Sequence, residues 1–137
     1  MSRYLEQLKE AGLNLLIYGD GEVIFSSTLG GIKPLLDAID ALGRDRLRGV
    51  IVADKIVGRA AALLTVYMGA VEVHAALIST GAKQALHRHG LMLYFSEETP
   101  AIMNREGTDI CPFERLVQEI SDPAEAYRNL KAKVSRF

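Results

Sequence analysis

Apolar residues along this chain follow two spacings, and each spacing predicts a kind of secondary structure. Short apolar runs are typical of buried strands, whereas apolar residues that recur every three or four positions are typical of helices. From residue 50 onward the two patterns alternate. The predicted elements are a strand at Val50–Ala53, a helix at Arg59–Met68, a strand at Val71–Ser79, a helix at Ala82–His89 and a strand at Leu91–Phe95.

The two ends of the chain add a hairpin and four more helices. The elements are a first helix capped by Ser2 and closed by Gly12, strands at Leu13–Tyr18 and Val23–Phe25 around a Gly19-Asp20-Gly21 turn, a helix opened by Gly30-Gly31, and two helices begun by Pro112 and Pro123. An antiparallel hairpin beside a parallel strand–helix–strand run predicts an α/β fold. Its mixed five-stranded sheet carries helices on both faces.

Length and composition are those of one globular domain over residues 1–137. The 137 residues are 49% hydrophobic and carry a formal net charge of −1, which argues against nucleic acid as a partner. The apolar stretch from residue 60 to 78 contains Glu72, and a charge inside a membrane span costs about 2.5–3.5 kcal/mol, so no membrane segment is predicted. A single cysteine and no signal peptide predict a cytoplasmic protein.

The junction between the strand at Val50–Ala53 and the next helix is the first candidate site. Lys55 and Arg59 flank Gly58, where the free amides of a helix start and two cations are predicted to bind a phosphate or carboxylate. Asp54 precedes them. Close packing of the helix on the sheet explains the same glycine and the alanines after it equally well, so both interpretations stay open.

A second candidate segment follows the last predicted strand. Asn104 and Arg105 lie in a long polar loop beside a glycine, an arrangement that favours contact with a ligand. Cys111 precedes a helix start, where the dipole favours thiolate character. No histidine near Cys111 in sequence could act as its base. This favours Cys111 as a small buried apolar residue over Cys111 as a nucleophile. Glu114 is expected to fold back on the cap of its own helix.

Two motifs carry a resemblance to a known family. They are Asp54-Lys55-x-x-Gly58-x-Ala60-Ala61-Ala62 and Asn104-Arg105-x-Gly107-x-x-x-Cys111-Pro112-x-Glu114. Together with the order of elements, they resemble an uncharacterised prokaryotic family placed in the cytidine-deaminase-like superfamily. The resemblance covers roughly Leu13 to Val117 and implies a three-layer α/β/α sandwich. It implies no established activity.

Comparison with zinc deaminases shows what this chain lacks. Those enzymes bind zinc through a His-x-Glu or Cys-x-Glu and a Pro-Cys-x-x-Cys at two helix starts. Here Gly30-Gly31-Ile32-Lys33-Pro34 and residues 54–59 stand at those places and offer no thiolate, imidazole or glutamate. Zinc deamination is therefore excluded, and neither a metal site nor a cofactor is predicted.

Three hypotheses for function follow. The first is a binding or regulatory domain for a nucleotide- or phosphate-like small molecule, held by Lys55, Gly58 and Arg59, with Asp54 orienting Lys55 and with Asn104 and Arg105 closing over the ligand. The second is a metal-free enzyme with Lys55 or Cys111 as nucleophile and Asp54 or Glu114 as acid or base. The third is a homo-oligomeric scaffold that associates through the open sheet edge or the helix at Ala82–His89.

Overall fold

The computed structural model describes residues 2–135, which form five strands and six helices. In chain order they are α1 (Arg3–Glu10), β1 (Leu15–Gly19), β2 (Glu22–Ser27), α2 (Lys33–Leu47), β3 (Ile51–Val57), α3 (Arg59–Met68), β4 (Glu72–Ser79), α4 (Thr80–Arg88), β5 (Met92–Thr99), α5 (Pro112–Leu116) and α6 (Pro123–Val134). The predicted α/β fold with a mixed five-stranded sheet is confirmed.

The strands form one sheet in the order β2-β1-β3-β4-β5. The hairpin strands β1 and β2 are antiparallel, β1 is antiparallel to β3, and β3, β4 and β5 are parallel. Two parallel steps in the same direction need two crossover helices, and right-handed crossovers place both on one face. Helices α3 and α4 are these crossovers, and the carboxyl ends of β3, β4 and β5 therefore share one edge of the fold.

Alternate side chains of β1 point to opposite faces of the sheet and pack into two different hydrophobic clusters. Leu16 and Tyr18 pack with Leu5 and Leu8 of α1 on one face. Leu15 and Ile17 belong to the larger core, which α2, α3, α4 and α6 build on the other face. Alternation with a period of two is what a strand buried on both faces requires.

Helix α3 lies at the centre of the larger core. Seven of its residues are buried, among them the fully buried Leu63, Leu64 and Met68. A helix that is apolar on nearly every side must be covered on nearly every side, and α3 contacts β3, α2, α4 and α6. It begins after the N-cap Gly58 and ends at Gly69, whose φ of 91° fits the left-handed helix end that glycine favours.

Helix α6 covers the outer side of this core. Leu130 is fully buried, the rings of Tyr127 and Tyr67 stack with centroids 4.3 Å apart, and the Lys131 ammonium lies 3.1 Å from the Asp40 carboxylate in α2. The C-terminal helix is thus bound to both α2 and α3. This arrangement packs α6 onto the larger core.

Several predicted boundaries are wrong. Strand β3 does not end at Ala53 but continues to Val57, with Asp54 opposite Leu15 on one side and Ala75 on the other. Strand β5 continues to Thr99, because its polar half still pairs with β4. The helix after the hairpin is interrupted at Gly43, whose φ is 78°. Ladder pairing, which local hydrophobicity does not report, extends both strands.

Replacement of Leu130 by alanine tests whether α6 belongs to the core. L130A is expected to lower the free energy of unfolding by about 2–5 kcal/mol, because it empties a fully buried position. The exposed neighbour provides the control, and N129A is expected to stay within about 0.5 kcal/mol of wild type. Denaturant unfolding measures both. Equal stability of the two variants would show that α6 is not docked.

Candidate functional site

The start of α3 is bound by a carboxylate from the tail of the chain. The Glu114 side chain accepts a hydrogen bond of 2.6 Å from the Arg59 amide and one of 2.7 Å from the Ala60 amide. Glu114 itself lies 55 residues further along the chain. The first amides of a helix have no partner within the helix, and an anion is favoured there by the dipole. The amides at the start of α3 therefore bind an anion, which is the protein's own Glu114.

Gly58 leaves the space that Glu114 fills. A Cβ at position 58 would come within 2.9 Å of all three atoms of the carboxylate, closest to Oε1, which is well inside van der Waals contact. Gly58 has an extended backbone with φ −91°, which any residue can adopt. Position 58 therefore requires glycine because the carboxylate occupies the space of a side chain, and not because of the backbone conformation. Gly58 thus permits a close approach by a side chain of the same protein.

Arg59 holds the segment that carries Glu114. Its Nε donates to the Val117 carbonyl at 3.0 Å, and its Nη2 donates to the Ile120 carbonyl and, at 3.4 Å, to Ser121 Oγ. Position 59 therefore contributes its amide to Glu114 and its guanidinium to the turn between α5 and α6. The guanidinium faces this turn, and Arg59 and Lys55 share no partner among residues 2–135.

Burial raises the pKa of both carboxyl groups near this end of β3. The pKa of Asp54 rises from 3.8 to about 8, because desolvation outweighs hydrogen bonds from the backbone amides of Ile56 and Lys55. Burial also raises the pKa of Glu114, against the amides of Ala60 and Arg59 and the charge of Arg59. Asp54 is thus mostly neutral at pH 7. It forms no ion pair with Lys55, contrary to the predicted orienting role.

The remaining predicted residues do not converge on α3. Lys55 is exposed and makes no side-chain hydrogen bond or ion pair within the described part of the chain. Both polar atoms of the Asn104 side chain bond Thr108, at 3.2 Å and 3.0 Å, which closes a turn in the loop. Arg105 is exposed. Cys111 is half-buried as the N-cap of α5, and Glu114 caps α3 rather than that helix.

A larger cavity lies at the other end of the sheet. We call it the α1–hairpin cleft; its volume is about 470 Å³, and its lining is Arg3, Tyr4, Gln7, Tyr18, Gly21, Glu22, Val23 and Ile51. Tyr4 and Tyr18 meet edge to face with centroids 4.9 Å apart, and the Tyr18 hydroxyl donates to Gln7 at 2.6 Å. Burial and the neighbouring Tyr4 raise the pKa of Tyr18, so its hydroxyl keeps its proton.

A second, smaller cavity lies beside the Arg59 side chain. Its volume is about 100 Å³, and its lining is Arg59, Leu63, Gln84, Ala85, Arg88, His89 and Ser121. No acidic residue contributes to it. We call it the α3–α4 pocket. It has room for an ion of phosphate size but not for a nucleotide.

Two classes of site are not seen in the described chain. Within residues 2–135, no group of three or more His, Cys, Asp or Glu side chains is placed to hold a metal ion. No helix of that range is both long and apolar enough to cross a membrane.

Comparison with known proteins places the chain in a family. Residues 3–134 match the family TM1506, described as a domain of unknown function (DUF1893). The chain belongs to the DUF1893 family. A crystal structure of a DUF1893 protein (TM1506) from Thermotoga maritima, at 2.70 Å resolution, is 33% identical in sequence, with a TM-score of 0.86. The similarity covers 97% of this chain and 92% of that one. No curated protein matches the chain.

Membership in DUF1893 explains the fold and leaves the function open. The match spans almost all of the described domain, so the sheet and its helices are a family property. Neither comparison names a ligand, a reaction or a cytidine-deaminase-like relationship. Function must therefore be argued from the geometry of this DUF1893 domain.

Two features of the site were missed in the sequence. Glu114 was expected to cap its own helix, because a local partner is the only one that spacing can indicate. The α1–hairpin cleft was missed because its lining comes from α1, the hairpin and β3, which meet only in the folded chain. Arg3, Tyr4 and Gln7 share one side of the first helix, and this spacing was the only available signal.

A double-mutant cycle tests the contact between Gly58 and Glu114. G58A is expected to lower the free energy of unfolding by about 1–3 kcal/mol, because its methyl group would displace the carboxylate. E114A is expected to cost a similar amount, since two helix amides lose their acceptor. Adding G58A to E114A is expected to cost little, which gives a coupling energy of about 0.5–3 kcal/mol. Thermal and denaturant unfolding measure all four proteins.

Gly81 is the matched control for this cycle. A Cβ at position 81 would lie 3.9 Å from the Arg59 Cβ, an ordinary contact, and the position is within α4. G81A is therefore expected to be neutral or stabilising by up to about 1 kcal/mol. Additive effects of G58A and E114A would contradict the contact.

Asp54 predicts a pH dependence of stability. Its folded pKa lies above its unfolded value, so the neutral form is favoured by folding, and stability is lost as pH rises from about 4 to about 8. D54N is expected to match wild type within about 1 kcal/mol near pH 4 and to exceed it by a few kcal/mol near pH 9. The exposed D45N is the control. Parallel pH profiles for D54N and wild type would contradict a buried Asp54.

Proposed function

We propose that this protein is a metal-free binding domain for a small nucleotide-like molecule, and that the ligand binds in the α1–hairpin cleft. The cleft carries the proposal because its volume of about 470 Å³ falls within the range of about 300–1,000 Å³ typical of small-molecule sites. The sequence pattern predicts a ligand at the start of α3. The amides there do not support that site, because Glu114 already accepts their hydrogen bonds.

The lining of the cleft favours a flat ring that carries an anionic group. Tyr4 and Tyr18 present aromatic surface, while Val23 and Ile51 add aliphatic surface. The Arg3 guanidinium is exposed at the rim, where it lies 5.1 Å from the Tyr4 ring centroid and donates to the Tyr4 hydroxyl at 3.4 Å. Its other N–H groups are available to a phosphate or carboxylate. Gln7 and Glu22 offer polar atoms that suit the edge of a base or a sugar hydroxyl.

The α3–α4 pocket supports a second candidate, binding of a phosphate-like anion alone. Arg59 and Arg88 contribute two cationic side chains, and His89 adds an imidazole to the lining. The Arg59 guanidinium uses Nε and Nη2 for the chain and has Nη1 left for a ligand. This pocket retains Arg59 as a binding residue, through its side chain rather than its amide.

We also propose that this fold is related to that of the cytidine deaminases and that it does not carry out their zinc chemistry. A hairpin at one sheet edge followed by a parallel strand–helix–strand–helix–strand run supports the relationship. Residues 30–34 and 54–59, at the places of the two zinc-binding motifs, supply no zinc-binding set.

The metal-free enzyme is the weaker alternative. Lys55 has no neighbouring base among its contacts, and no side-chain hydrogen bond of Cys111 is seen within residues 2–135. A nucleophile needs an adjacent base or a lowered pKa to react at neutral pH. Asp54, whose pKa is raised, lies within β3, and its hydrogen bonds among residues 2–135 come from the backbone amides of Ile56 and Lys55 and not from a nucleophilic side chain.

Calorimetric titration with ribonucleoside monophosphates tests the proposal. Wild type is expected to bind at least one of them, and R3A is expected to weaken that binding about tenfold or more, because a charge-assisted hydrogen bond contributes about 1.5–3 kcal/mol. Binding of the matching nucleoside, which has no phosphate, is expected to be the same in R3A and wild type.

Arg88 provides the control that separates the two cavities. R88A is expected to leave nucleotide binding unchanged if the α1–hairpin cleft is the site. Loss of binding in R88A but not in R3A, together with competition by inorganic phosphate, would assign the ligand to the α3–α4 pocket instead. Absence of binding by wild type to every nucleotide would overturn the proposed function.

A further inference from the structure

We propose that this protein forms a homodimer in which strand β5 of one copy pairs antiparallel with β5 of a second copy. The two five-stranded sheets then become one continuous sheet. The proposal does not rest on the α1–hairpin cleft, since that cleft lies at the hairpin side of the sheet and β5 forms the opposite edge.

Strand β5 is a long sheet edge with exposed apolar side chains. Its eight residues pair only with β4 within the described chain, and Met92, Tyr94 and Phe95 are 56%, 46% and 39% exposed. Proteins usually protect such edges with charged side chains, above all lysine, or with proline, a bulge or a covering segment. The charges of β5 are limited to Glu97 and Glu98, in its last three residues. β5 contains no lysine or proline, and its register with β4 shows no bulge. The other edge, β2, is shorter and pairs with β1 through an irregular register.

The backbone of β5 determines which residues a partner strand would bind. The Met92 amide donates to the Val71 carbonyl at 3.0 Å, so Met92 and every second residue after it bond β4. Leu93, Phe95 and Glu97 therefore direct their amides and carbonyls away from the sheet. These three residues offer an unsatisfied set of donors and acceptors to another strand.

One antiparallel register uses nearly the whole edge. With the two-fold axis at Phe95, Phe95 lies opposite Phe95 of the second copy, and Leu93 lies opposite Glu97. All outward amides and carbonyls of the three residues are then paired. The two phenyl rings form an aromatic cross-strand pair, one of the favourable pairs in sheets.

The charges of the edge are compatible with this register. Glu97 and Glu98 lie opposite Leu93 and Met92 of the second copy, so no two carboxylates face each other. Lys83 lies over the Phe95 ring, 5.3 Å from its centroid, and bonds Glu98 at 3.2 Å. Each copy thus brings an ammonium and two carboxylates to the interface. A second copy of this chain is for these reasons the partner that fits the edge.

Proline at position 97 tests the pairing without disturbing β4. The Glu97 amide points away from the sheet, so E97P removes an outward donor and no bond to β4, and proline is tolerated on such edges. Sedimentation equilibrium from micromolar to millimolar protein is expected to show dimers for wild type and for E97A, which keeps the amide. E97P is expected to be monomeric with the circular dichroism of wild type.

Hydrogen exchange of the wild-type protein tests the register without any variant. The amides of Leu93, Phe95 and Glu97 are expected to exchange at least about tenfold more slowly at high than at low protein concentration. A wild-type protein that stays monomeric at millimolar concentration would overturn the proposal, and so would fast exchange of these three amides in the dimer. Dimerisation of E97P as strong as that of E97A would also overturn it.

Discussion

A buried carboxylate at the start of the central helix organises this domain. Helix α3 is enclosed by the sheet and by three helices, and its first residue follows a glycine that has no side chain to cap it. The amides of Arg59 and Ala60 therefore need a partner from elsewhere, because a buried amide without an acceptor is costly. Glu114 is that partner. The segment that contains α5 therefore contributes to the packing of the core, because its carboxylate binds the start of the central helix.

The same interaction joins three elements into one unit. Glu114 binds the α3 amides, and the Arg59 guanidinium binds the carbonyls that follow α5. The carboxylate of α5 accepts from the amides of α3, and the guanidinium of α3 donates to a carbonyl that follows α5, so these hydrogen bonds join the two segments in both directions. Gly58 makes this possible by leaving the space that the carboxylate occupies. A ligand at the carboxyl ends of the parallel strands would have to displace a group that is already well bound.

The distribution of helices over the two faces explains where surface remains open. One helix, α1, covers part of one face, whereas α2, α3, α4 and α6 crowd the other. Beside α1, the hairpin leaves the cleft lined by Arg3, Tyr4 and Tyr18. At the far edge, β5 is left with apolar side chains and unpaired backbone groups. Ligand and partner are proposed for the parts of the sheet that helices do not cover.

The amino-acid sequence by itself determined the elements and their order. The bounds of α3, the hairpin turn and the five-stranded mixed sheet all follow from spacing and glycine positions, which are local properties. Local patterns could also show that Gly58 and Arg59 mark a helix start with an affinity for anions. Only the tertiary structure decided that the anion is Glu114 and that Arg59 turns toward the α5–α6 turn. It alone brings α1 and the hairpin together as a cleft, since contacts between residues far apart in the chain leave no periodic trace in the sequence.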